Sequence, residues 1–151
     1  MTAPADIIIR PAKTAEILDL RWRMFRAGLP PESANFDGDA EPTTHHFVAE
    51  QERKVIGCVT ILRRPWEGRP AWQLRGMAVE PFVQSRGIGG RLLQAVETMI
   101  QQEPHSVRLW CNARTPATRF YEKNGWMIVG EEFEIPTAGP HFKMTKLLQD
   151  S

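Results

Sequence analysis

One tyrosine, two cysteines and no long apolar run stand in a chain of 151 residues. Cys58 and Cys111 lie in apolar, strand-like stretches, as reduced core thiols do, so no disulfide scaffold is expected. No apolar stretch approaches the roughly eighteen residues that would span a bilayer. Residues 1–6 lack the basic and apolar regions of a secretion signal. A cytoplasmic protein with no membrane partner is the resulting expectation. Nineteen Lys and Arg against eighteen Asp and Glu leave a formal net charge of +1, which gives no general attraction to nucleic acid. The arginines are scattered and form no basic face paired with aromatics, so no nucleic-acid partner is expected either. No internal repeat or low-complexity linker divides the chain, and its length suits a single domain over 1–151. No metal site is assigned.

What is present is an alternating series of strand and helix patterns. Ile7, Ile8, Ile9 and Arg10 read as a first strand ended by Pro11. Residues 14–27 read as a helix with Ile17, Leu20 and Met24 on one face. Residues 28–44, rich in Pro, Gly and acidic side chains, read as a loop or a short broken helix. Residues 46–50 and 55–62 form a hairpin pattern, and residues 63–70 a loop carrying Trp66. Residues 72–79 are a strand, and 88–100 a helix that buries Leu92, Leu93, Val96 and Ile100. A strand over 107–111 follows. A helix then starts with Thr115 as N-cap and Pro116 in its first turn, and stops at Gly125. Strands over 126–130 and 142–147 close the series, which implies a mixed sheet flanked by helices.

Between the strand at 72–79 and the helix at 88–100 lies Gln84-Ser85-Arg86-Gly87-Ile88-Gly89-Gly90-Arg91. Glycines at a strand-to-helix junction let the backbone turn tightly and leave the first helical N–H groups outward, at the positive end of the helix dipole. That is a site for an anion such as a pyrophosphate. The spacing fails for a nucleotide-triphosphate loop, which needs four residues between its glycines and then Gly-Lys-Ser/Thr. It fails for a dinucleotide fingerprint as well, because position 92 is Leu92 where a third glycine is required. The remaining pattern, Gln84-x-x-Gly87-x-Gly89 directly after Leu74-x-x-Met77-Ala78-Val79-x-Pro81, resembles the acyl-CoA loop of the GCN5-related N-acetyltransferase (GNAT) superfamily. A second stretch, from Asn112 through Phe120-Tyr121-x-Lys123-x-Gly125-Trp126, resembles that family's Asn…Phe-Tyr-x-Lys-x-Gly-Phe segment, with Trp126 in place of Phe. The order of elements agrees with the family along nearly the whole chain.

The resemblance implies an α/β (α+β) fold, with a mixed, mostly antiparallel sheet of about six or seven strands flanked by about four helices. The strands at 72–79 and 107–111 would splay apart. It implies acetyl-CoA as cofactor and CoA as product. Backbone groups of Met77, Ala78 and Val79 would pair with the pantetheine arm as an added strand does. Ser85, Arg86, Ile88, Gly90 and Arg91 complete the loop around the phosphates with Gln84, Gly87 and Gly89, and Asn112 contacts the pantetheine. The one tyrosine, Tyr121, would be the general acid that protonates the departing thiolate. The Val79 N–H would meet the oxyanion.

A lysine-like amine with a pKa near 10.4 is neutral in only about one molecule in a few thousand at pH 7, so a proton acceptor is wanted. Several family members place a glutamate where this chain has Gln73, which cannot act as a base. Gln73 is left to orient a water, and Glu80, Glu134, His45, His46 and His141 stay open as candidates. For the acceptor, Asp37, Asp39 and Glu41 suit a cationic amine, while Arg21, Arg26 and Arg75 suit a carboxylate or phosphate, so charge selects no substrate. Trp66, Trp72 and residues 131–141 belong to the same expected acceptor face. The reading is an N-acetyltransferase moving an acetyl group to a primary amine, of a small molecule or a peptide, by direct attack in a ternary complex. The alternative is a non-catalytic acyl-CoA-binding sensor domain, and a homodimer is compatible with either.

Overall fold

A computed structural model describes residues 6–84, 86–103 and 107–149. Along these residues run β1 (Ile8–Ala12), α1 (Thr14–Phe25), β2 (His45–Gln51), β3 (Lys54–Arg63), β4 (Trp72–Val79), α2 (Ile88–Ile100), β5 (Val107–Arg114), α3 (Thr118–Lys123), β6 (Met127–Ile135) and β7 (Gly139–Leu148). Hydrogen bonding orders the strands β1-β2-β3-β4-β5-β7-β6. β4 and β5 are parallel, whereas β1/β2, β2/β3, β5/β7 and β6/β7 are antiparallel. The mixed, mostly antiparallel sheet and its strand number are as expected. The described residues hold three α-helices rather than about four. The difference lies in 28–44, where Pro30-Pro31 starts a single 3₁₀ turn, Pro31–Ala34, that goes no further. No helix among the described residues is long and apolar enough to cross a membrane.

Two compact units divide the described residues, one within Met1–Leu62 and Gly76–Val96, the other within Arg63–Arg75 and Glu97–Ser151. In the first, β1 pairs with β2 through Pro11↔Phe47 and Ala12↔His46. Pro11 therefore does not end the strand. β1 is an edge strand, where a residue without an N–H is tolerated. The β2–β3 hairpin turns on Glu52 and Arg53, both left-handed, with φ of 50° and 65°. That is the primed-turn geometry matching strand twist, here without the usual Asn-Gly. α1 buries Ile17 and Leu20 against Val48, Cys58 and Ala78, with Met24 and Phe25 partly covered. The first turns of α2 lie close on β3, because Gly57 has no side chain. A Cβ there would stand 3.2 Å from Ile88 Cγ2 and 3.2 Å from Leu92 Cδ1.

In the second unit β7 lies between β5 and β6, with β5 and β7 paired from Val107↔Leu148 to Arg114↔His141. Among the described residues the parallel ladder of β4 with β5 covers two pairs, Trp72↔Leu109 and Gln73↔Trp110. Leu109, Cys111, Ala113, Tyr121, Trp126, Met144 and Leu148 are buried. β5 runs three residues beyond the expected end at Cys111. The segment expected to open a helix at Thr115 forms a 3₁₀ turn first, Thr115–Ala117, so α3 begins at Thr118. Pro116 suits either kind of first turn, since its missing N–H has no partner in both.

Candidate active site

The described residues of the stretch expected to hold the phosphates, Gln84 and 86–91, fall within the first unit. β4 ends at Val79, and the Glu80 N–H donates to the Ile56 carbonyl at 2.8 Å, tying the strand end to β3. A 3₁₀ turn, Pro81–Val83, follows. Gln84 then folds its side chain back, Nε2 donating to the Val79 carbonyl at 3.0 Å, so its side chain braces the loop. Ser85 lies outside the described residues. Gly87 is left-handed, with φ of 77°, and a Cβ there would meet no atom within 4 Å. Glycine is required by backbone conformation, and the space in front of it is open. The Arg91 N–H bonds to the Gly87 carbonyl at 3.1 Å as the first bond of α2. The N–H groups of Ile88, Gly89 and Gly90 precede it and have no intrahelical partner. A pyrophosphate fits these donors. Arg86 is exposed, and the exposed Arg91 donates to the Ile7 carbonyl at 3.1 Å. Ala78 is buried in the core cluster of α1 and β2 and Met77 is half-buried, so Ala78 can offer a ligand only its backbone.

The second unit holds the expected acid. Tyr121, on α3, is 6% exposed. Its ring lies edge-on to Phe120 (5.1 Å, 70°) and Trp126 (5.4 Å, 61°). Burial raises the phenol well above its usual pKa, and the nearby Cys111 thiol adds to the rise. The group therefore carries its proton throughout the neutral range, as an acid must. Burial likewise pushes the thiols of Cys58 and Cys111 up to about 12, which leaves almost no thiolate at neutral pH. Gln73 is buried, and its Oε1 accepts from Arg75 Nε at 2.9 Å. Asn112 is half-buried, with Oδ1 accepting from Lys143 Nζ at 3.3 Å.

Two of the five open base candidates, Glu80 and His46, are held by strong partners. Glu80 is ion-paired with Arg23 at 2.5 Å. His46 uses both ring nitrogens, Nδ1 with Thr60 Oγ1 at 2.7 Å and Nε2 with the Asp39 carbonyl and Thr14 Oγ1, each at 3.1 Å. His141 differs. Its Nδ1 lies 2.7 Å from the Gly139 carbonyl, which can only accept, so Nδ1 carries the proton and the neutral ring keeps its lone pair on Nε2. Glu134 and His45 are exposed.

Two expected acceptor contacts are corrected. Arg21 is completely buried and forks onto Asp39, at 2.6 and 3.2 Å, while also donating to the Ala34 carbonyl and Thr60 Oγ1, both at 2.8 Å. Its guanidinium lies 3.9 Å from the Phe36 ring centroid. Each partner satisfies the other, so neither is offered to a substrate. The sign was in the helix period, since Arg21 follows Ile17 and Leu20 at i+4 and i+1 on the apolar face. Sequence reading also missed a cluster on the second unit. Trp110 on β5 lies 5.6 Å from Trp66 and donates its Nε1–H to the Arg64 carbonyl at 3.1 Å. Lys143 on β7 holds its ammonium 4.9 Å from the Trp110 ring and 5.5 Å from Phe133.

This strand order, with a helix directly after β4, is the fold of known acetyltransferases. The acetyltransferase (GNAT) domain profile matches residues 42–128, more than half of the chain, and the chain belongs to that family of acetyltransferase enzymes. Peptidyl-lysine N-acetyltransferase YiaC of Escherichia coli (strain K12) is 32% identical over 145 residues, covering 86% of this chain and 92% of its own length. Uncharacterized N-acetyltransferase YitI of Bacillus subtilis (strain 168) is 36% identical over 81 residues, 54% of each chain, so this chain spans about half the length of that relative. An aminoglycoside 6′-N-acetyltransferase complexed with coenzyme A has the same fold, with a TM-score of 0.73 at 18% identity over 93% of this chain and 96% of that one.

Proposed function

We propose that this chain moves an acetyl group from acetyl-CoA to a primary amine by direct attack, with no acyl-enzyme. The observation that carries the reading is the α2 start, where the N–H groups of Ile88, Gly89 and Gly90 have no partner within the helix, behind an open, left-handed Gly87. Those donors hold the pyrophosphate, with Gln84 bracing the turn from behind. The backbone of Met77 and Val79 pairs with the pantetheine, and Asn112 contacts the same arm. The amine nitrogen forms a bond to the thioester carbonyl carbon, the Val79 N–H stabilises the oxyanion, and the C–S bond breaks. Tyr121 gives its proton to the leaving sulfur and regains one from solvent to close the cycle. The amine's surplus proton passes to solvent or to His141 Nε2; Gln73 orients a water on that route.

Direct attack is supported by the cysteines, since both are buried and held protonated. The activity named for the E. coli relative makes peptidyl lysine the first acceptor to screen. One observation favours the rival reading of a CoA-binding sensor, namely that Gln73 supplies no carboxylate and is already bonded to Arg75.

The first experiment is the thermal midpoint with acetyl-CoA, CoA and NAD. A ligand at a hundredfold excess over its Kd adds about 2.7 kcal/mol, so both CoA species should raise the midpoint and NAD should not. No rise at millimolar acetyl-CoA removes the transferase and sensor readings together. Tyr121→Phe separates the two. It should lower kcat by about a hundredfold at unchanged CoA affinity in an enzyme that uses this acid.

A further inference from the structure

We propose that Lys143 receives a carboxylate carried by the acceptor substrate, so that the preferred acceptor is an amine bearing a nearby carboxylate, such as an amino acid or an acidic peptide. This rests on the transferase reading above.

The Lys143 ammonium is held on the second unit by an amide oxygen and two ring faces, none of which neutralises its charge. Its contacts are the Asn112 carbonyl oxygen at 3.3 Å and the faces of Trp110 and Phe133. Among the described residues no carboxylate lies within ion-pair distance of it. Lys146 on the same strand shows the ordinary arrangement, donating to Glu97 at 2.7 Å and to the Asn124 carbonyl at 2.8 Å. Ring faces attract a cation without neutralising it.

The position is built. The Trp110 ring is fixed by its bond to the Arg64 carbonyl and by Trp66, and Phe133 leans on His141 at 6.1 Å. Lys143 stands opposite Asn112 in the β5/β7 register and opposite Val129 in the β6/β7 register. The bond to Asn112 joins the ammonium to the residue assigned to the pantetheine arm, so an anion on Lys143 belongs to whatever approaches the thioester there. One ammonium with a donor already used suits a single carboxylate better than a phosphate, which usually gathers several donors. The neighbouring ring faces offer apolar contact to the carbon skeleton beside it.

The test uses the full chain, saturating acetyl-CoA and matched acceptors, each an amino acid or acidic peptide paired with its carboxamide. Comparing wild type with Lys143→Gln for each acceptor separately cancels differences in amine pKa. The expected result is a KM raised about tenfold or more for the carboxylate member, the usual weight of a charged hydrogen bond, and changed less than about twofold for the carboxamide. Lys143→Arg should retain most of the preference, and Phe133→Leu should weaken it by a smaller factor. Equal effects on both members, no effect on either, or a changed CoA affinity in Lys143→Gln would each overturn the proposal. Wild-type turnover of carboxamides without preference overturns it while the transferase reading stands. A wild type with no turnover of any acceptor and no CoA-induced thermal rise overturns both.

Discussion

Arg21 and Lys143 are both cations beside aromatic rings, and they are treated in opposite ways. Arg21 lies in the core of the first unit, completely buried, with a carboxylate, a carbonyl and a hydroxyl around its fork. Lys143 stands exposed on the second unit, with two ring faces and one amide oxygen but no counter-charge among the described residues. A charge taken out of water must be answered inside the fold. A charge left at the surface can wait for a ligand. The guanidinium suits the first task because its planar fork meets Asp39 through two nitrogens, and the compact ammonium suits the second.

The most severe way to break this contrast is to remove the buried counter-charge. Asp39→Ala strands Arg21 and should cost about 3–5 kcal/mol, read by urea unfolding. Replacing both partners with apolar residues of similar volume, Arg21→Met with Asp39→Leu, should recover much of that loss. A double variant as unstable as the single one would mean that the pair stabilises through something other than mutual neutralisation. Gly76 comes next. It is left-handed, with φ of 60°, and a Cβ there would stand 3.1 Å from Arg21 Nε, an atom with no hydrogen-bond partner. Gly76→Ala should cost about 1–2 kcal/mol from the backbone, and less of it should remain when Arg21 is already Met.

His46 tests the same box by pH. Burial, before any neighbouring charge, lowers its pKa in the folded state, and the charge of Arg21 lowers it further. The unfolded chain therefore binds this proton more readily. Stability should fall as pH drops below the unfolded value of about 6.5, by at most about 1.4 kcal/mol per pH unit. His46→Gln should flatten that limb; an unchanged slope would assign it to other groups. The smallest expected stability change is at Lys143. Lys143→Gln should alter unfolding by less than about 0.5 kcal/mol, although it changes acceptor preference. A loss comparable to Asp39→Ala would erase the distinction between the two cations.

The elements easiest to read were those whose signal is local. β4 and α2 fall on the expected residues because an apolar strand run and a helical period declare themselves over 8 and 13 consecutive positions. Gln84, Gly87 and Gly89 mark the loop, since a left-handed position before a helix demands glycine. Pro11 misled because proline is read as a stop, and whether it stops a strand depends on which neighbours that strand has. Trp110 and Lys143 could not have been joined by inspection. They meet through the β5/β7 register, which pairs Asn112 with Lys143 across 31 positions of chain. Arg21 was legible as a face position, but a charge on an apolar stripe needs a partner, and Asp39 sits in a loop with no periodic signal.

Each compact unit contains one cysteine, Cys58 in the first and Cys111 in the second. Both thiols are covered and held protonated near pKa 12, so a thiol reagent can reach either only when its own unit opens. The protein thus carries two internal reporters of local unfolding. Mass-resolved labelling rates at Cys58 and Cys111 would time the opening of the first and of the second unit separately, in one sample.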